Sequence, residues 1–170
     1  MYLRDFIAGL THPVSGADHI LAMVAIGLWG VVAGGRAVWA WPLVFVTMVL
    51  TGFVAATLGV HAPLVQPAIA ASIVVLGLVI ALTVKAPLWL GAMIAGLFAF
   101  FHGHAHGTEA TVSGIGLTAF ALGFVLTTAA LHVIGITGGL MLARSTERYL
   151  VRTAGSLIAL SGLALIAIPA

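Results

Sequence analysis

Polar residues interrupt this chain at few places, and the intervals between them are long enough to cross a bilayer. Apolar runs extend from about Ser15 to Gly34, Trp39 to Val60, Leu64 to Val84, Pro87 to Phe101, Val112 to Ala143 and Tyr149 to Ile168. Each is close to or longer than the roughly 20 residues that a helix needs to traverse the hydrocarbon. Six membrane-spanning helices in one transmembrane domain, residues 1–170, are therefore expected. Residues 6–10 predict a short lead-in helix ahead of His12-Pro13.

The interruptions have local causes. Pro42, Pro63, Pro67 and Pro87 stand near the starts of runs, where a missing amide donor costs least. Gly34-Gly35-Arg36, Lys85-Ala86-Pro87 and the stretch from Arg144 to Arg152 are the polar breaks. Trp39, Trp41 and Trp89 fall near run ends, as interfacial aromatics do.

Composition sharpens the reading. Of 170 residues 62% are apolar and 6% charged, far too few charges to clothe a soluble domain. A nucleic-acid partner is excluded, because six scattered basic residues form no patch that could follow a phosphate backbone. Their distribution is a topology signal instead. Arg36, Lys85, Arg144, Arg148 and Arg152 fall on one side of the expected helices and Arg4 alone on the other. The positive-inside rule puts the five in the cytoplasm and both termini outside. The first residues lack the pattern of a signal peptide, so either the first span inserts directly or a leader was removed beforehand. No cysteine is present, which rules out disulfides, iron–sulfur clusters and thiolate metal sites. The 21 glycines, some at small-xxx-small spacing such as Gly30/Gly34 and Gly135/Gly139, point to close helix packing. Where glycine, proline and histidine cluster, local unwinding beside a site is the competing reading.

Ionisable groups inside a membrane are costly and need an explanation. They gather in two places. In His12-Pro13-Val14-Ser15-Gly16-Ala17-Asp18-His19, a helix would set His12 and His19 on one face, with Met23 a turn further. Asp18, about 100° around the helix from His19, is either a direct ligand or the group that fixes a histidine tautomer. In Phe101-His102-Gly103-His104-Ala105-His106-Gly107-Thr108-Glu109, a helix would align His102, His106 and Glu109, whereas an extended strand would align the three histidines. The topology places both clusters in the outer half of the membrane. Imidazole and carboxylate together suit nickel, cobalt, zinc or iron(II). His132 lies deeper, toward the cytoplasmic half, as an inner station or a hydrogen-bonded core histidine; His61 reads as an ordinary loop residue.

On HPVSGADH followed by ILAMVAIGLWG, on FHGHAHGTE, and on LH-x-x-G around His132, the chain resembles the HupE/UreJ family of nickel/cobalt permeases over essentially its whole length. The resemblance implies a multi-pass permease of the bacterial cytoplasmic membrane, with Ni²⁺ or Co²⁺ as cargo rather than cofactor. By motif match it assigns His12, Asp18, His19, His102, His104, His106 and Glu109 to metal handling, with His132 further along the path. A cytoplasmic metallochaperone would be a fitting recipient, and a homo-oligomer stays open. The competing function is an intramembrane histidine-ligated metalloenzyme, a hydrolase; the repeated HxxHH boxes of di-iron hydroxylases are absent.

Overall fold

A computed structural model describes residues 2–144 and 149–167. Among these the chain forms seven α-helices: α1 (Tyr2–Ser15), α2 (Ala17–Ala33), α3 (Ala37–Thr57), α4 (Val65–Ala81), α5 (Leu88–Val112), α6 (Leu117–Arg144) and α7 (Tyr149–Ala167). Arg148 lies outside the described residues. Four of the helices, α3, α5, α6 and α7, are long and apolar enough to cross a membrane. The pair α1–α2 passes the same test together but is bent by 79° at the break. The remaining helix, α4, is apolar and 17 residues long. This is the architecture of a helical membrane protein, and large apolar side chains such as Leu43, Val54, Leu97, Leu126 and Leu160 cover its outer faces.

Helix α2 is the hub. Most residues from Ala22 to Trp29 are shut off from the surface, because α3, α4 and α6 all pack on this one helix. Helix α6, whose 28 residues span about 42 Å at 1.5 Å per residue, is the longest. Helices α1 and α2 lie one after the other along it. Phe6, Gly9 and Leu10 meet Phe120, Gly123 and Thr127, while Val24, Gly27 and Leu28 meet His132, Gly135 and Ile136. The joint between α1 and α2 therefore falls beside the outer half of α6.

Glycine sets the spacing of the helix pairs. A side chain at Gly103 would come within 1.9 Å of the Val49 carbonyl oxygen, and one at Gly52 within 2.0 Å of that of Phe100, so α3 and α5 touch backbone to backbone. Gly77 and Gly155 do the same for α4 and α7. In a solvent as apolar as the side chains themselves, such close approach is what drives helices together. One glycine pairing departs from expectation. Gly34 meets nothing within 4 Å and adopts φ +79°; it ends α2 as a turn residue rather than packing with Gly30.

Several element ends also differ from the apolar runs. The lead-in helix is a full 14 residues and includes Pro13. Helix α5 continues eleven residues beyond Phe101 to Val112, carrying the whole histidine cluster, and α6 begins at Leu117. Hydropathy stopped at the histidines. Backbone hydrogen bonding did not, because α5 packs its glycines against α3 throughout that stretch.

Candidate metal site

Gly16, extended at φ −110° and ψ 124°, separates α1 from α2. Asp18 and His19, in the first turn of α2, lie against it. Although neighbours in a helix point about 100° apart, the His19 Nδ1 and Asp18 Oδ1 atoms are 2.7 Å from each other. A side chain at position 16 would come within 2.5 Å of that carboxylate oxygen and 2.7 Å of that ring nitrogen. The missing Cβ is what lets the two fold together over the break. With Nδ1–H donated to Asp18, the lone pair of His19 sits on Nε2, which is buried and has no hydrogen-bond partner. Of the two roles open to Asp18, this geometry favours fixing the tautomer.

Helix α5 is regular across residues 102–109, so the helical alignment holds and the extended one does not. Its face brings His102, His106 and Glu109 toward the α1–α2 joint. The His106 ring lies 4.6 Å from that of His12 and 4.4 Å from that of His19, and His19 is 5.3 Å from His102. His12 Nε2 stands 3.3 Å from Glu109 Oε2. One ligand atom from each of His12, His106 and Glu109 falls within 4.8 Å of the others. Ligands at about 2.0–2.2 Å from an ion are at most about 4.4 Å apart, so the three atoms stand close to the spacing that one ion requires. Both ring nitrogens of His106 are buried and lack partners.

His102 is held from beneath. Ser72 of α4 has one hydroxyl proton, which it donates to the Ile69 carbonyl at 2.6 Å. Its oxygen, 3.1 Å from His102 Nε2, must then accept from that nitrogen. The free lone pair of His102 is therefore on Nδ1, a buried atom without a partner. Three histidines thus present unpaired ring nitrogens in one place, a costly arrangement in a dry interior unless something binds them.

The cluster forms the wall of a cavity of about 760 Å³, open to the outside of the bundle and lined also by Ser15, His61, Gln66 and Thr108. His61 does lie in the loop between α3 and α4, as the sequence suggests, yet it faces this cavity. His104 also lines this cavity, whereas His102 lies behind its wall. Two residues from both His102 and His106, it points to another side of α5, where its Nε2 donates to the Val60 carbonyl at 2.7 Å. His132 is 2% exposed and apart from the rest. The Phe45 ring lies against it at 5.1 Å and against His102 at 6.0 Å. Neither of its nitrogens has a hydrogen-bond partner, which disfavours the bonded-core reading of this residue.

Ser72 was not picked out by sequence. A single hydroxyl in an apolar run is ordinary, and only its height opposite His102 gives it a role. Asp5 was missed likewise; it is buried where α1 meets the start of α6, beside Gly116.

The sequence profile of the HupE / UreJ protein family matches residues 3–165. The chain belongs to the HupE/UreJ family. Its members are related to nickel and cobalt transport. The chain is 43% identical over 161 residues to Protein HupE of Rhizobium leguminosarum bv. viciae, covering 94% of this chain and 83% of that one. No solved structure matches it significantly.

Proposed function

We propose that this HupE/UreJ protein is a permease that takes up Ni²⁺, or Co²⁺, across the bacterial cytoplasmic membrane. The observation that carries the reading is the meeting of His12, His106 and Glu109, with His19 and His102 behind them, on the wall of a cavity open at one end of the bundle. The donor set is imidazole and carboxylate, which suits these borderline divalent ions. The proposed topology has six crossings, the first being the bent α1–α2 pair, with both termini outside and the loops bearing Arg36, Lys85 and Arg144 in the cytoplasm.

In this scheme the hydrated ion enters the outer cavity and exchanges part of its water for His12, His106 and Glu109. It then moves to the nitrogens of His19 and His102, set ready by Asp18 and Ser72, and on past Phe45 to His132. Few ligands hold it at any one station, so release stays fast.

Uptake of ⁶³Ni tests the assignment. Replacing Asp18, His19 or His102 with alanine is expected to abolish uptake at unchanged membrane expression. Normal uptake in all three variants would sink the site.

A further inference from the structure

The outer cavity has a counterpart at the far end of the bundle, about 300 Å³, lined by Val31, Thr83, Lys85, Gly139 and Val151 among others. The two share no lining residue. One helical turn from Phe45, whose ring lies against both His102 and His132, Trp41 of α3 packs on Trp29 of α2, both fully buried, with ring centroids 4.2 Å apart.

The Trp29 indole is tied to the connection between α4 and α5, and that of Trp41 to the first residue of α5. The Trp29 N–H donates to the Val84 carbonyl at 3.0 Å, and the Trp41 N–H to the Leu88 carbonyl at 2.9 Å. Val84 lies between Thr83 and Lys85, which line the far cavity. The Trp29 hydrogen bond thus ends on the segment that lines that cavity. Trp41 is seated in the hollow left by Gly91, where a Cβ would come within 2.0 Å of the indole.

The connection itself is built to move. Residues 82–87 are outside the helices, Pro87 has no amide to donate, and Thr83 holds φ +51°, a left-handed conformation that is costly for a β-branched residue. Releasing the connection would free the Trp29 indole, and the shift it allows in the adjoining start of α5 would loosen that of Trp41.

We infer that Trp29 and Trp41 are the inner gate of the transport path, and that residues 82–87 are the latch that holds it shut. The inference rests on the permease reading above, and the structure is then an outward-open, inward-closed state. Transport through a path open at one end requires a barrier at the other that yields in turn.

The absence of native cysteine makes the test clean. Ile136 is 4% exposed on α6, against α2 and one turn beyond His132. A single cysteine there (Ile136→Cys, checked for parental nickel uptake) lies at the level of Gly27, before Trp29 along α2, and reports whether the gate admits a reagent from the cytoplasmic face. Inside-out vesicles are treated with a membrane-impermeant maleimide. Labelling is expected to be slow at rest and to rise several-fold while nickel is moving. Adding Trp29→Phe or Trp41→Phe, which keeps an aromatic ring but removes the N–H, is expected to raise resting labelling toward that level. The transport-dependent rise needs no tryptophan substitution, so the test survives a variant that fails to fold. Nickel uptake with no change in labelling, or folded Phe variants that label like the parent, overturns the gate alone. Absence of uptake in the parent overturns the permease reading and the gate with it.

Discussion

At the scale of single residues, the site depends on which nitrogen of each histidine carries the proton. Ser72 settles this for His102 through a chain of two hydrogen bonds ending on the Ile69 carbonyl. Ser72→Ala leaves Nε2–H without its acceptor, so the ring is free to turn or change tautomer. Loss of such a supporting bond costs about 10–100-fold in metal affinity. A drop in that range is expected by equilibrium dialysis with nickel, in protein that unfolds at an unchanged temperature; unaltered affinity would remove Ser72 from the site. Gly16→Ala should act through Asp18 and His19, which would have to leave their 2.7 Å contact. Its nickel uptake is expected to fall as far as that of Asp18→Ala. The ligand candidates themselves were legible in the sequence, because buried imidazoles and carboxylates need a reason in an apolar chain. His104 lines the same cavity, with its Nε2 hydrogen-bonded to the Val60 carbonyl. Ser72 was illegible, since nothing in residues 69–76 says which apolar neighbour faces His102.

Elements were legible as apolar runs and misjudged at their polar ends. Helix α5 extends to Val112 because its polar side chains face other polar side chains and its small ones face α3. That contact gives a prediction at this scale. Gly103→Leu inserts a side chain where Val49 backbone already lies within 1.9 Å of the Cβ position. Overpacking of this kind costs about 1–3 kcal/mol or more, so a clear fall in the midpoint of thermal unfolding in detergent is expected. Gly138→Ala is the control. The site is helical and open, with nothing within 4 Å, and alanine is favoured over glycine there by about 1 kcal/mol. Its midpoint should stay level or rise. Equal destabilisation by both substitutions would mean that loss of glycine itself, rather than the α3–α5 contact, governs stability.

Over the whole molecule, the bent first crossing is what assembles the site. Had α1 and α2 formed one straight helix, His12 and His19 would lie on one face about 10 Å apart along the axis. The break at Gly16 instead brings both rings to His106. Sequence pattern could set the two clusters on one side of the membrane but could not supply the 79° bend that joins them. The joint set has a consequence for acid conditions. An imidazole binds metal only through an unprotonated nitrogen, so protons and nickel compete for whichever histidine first meets the ion. Lowering the external pH from about 7.5 to about 5.5 raises the proton concentration about a hundredfold against a fixed nickel concentration. Each ligand protonated before capture weakens apparent affinity by up to about tenfold per pH unit. Initial rates of ⁶³Ni uptake over a range of nickel concentrations, at several external pH values, read this directly. The concentration for half-maximal uptake is expected to rise as pH falls, while the rate at saturating nickel changes less. A half-maximal concentration that falls on acidification would mean that protons assist capture, and ligation by these histidines would be wrong.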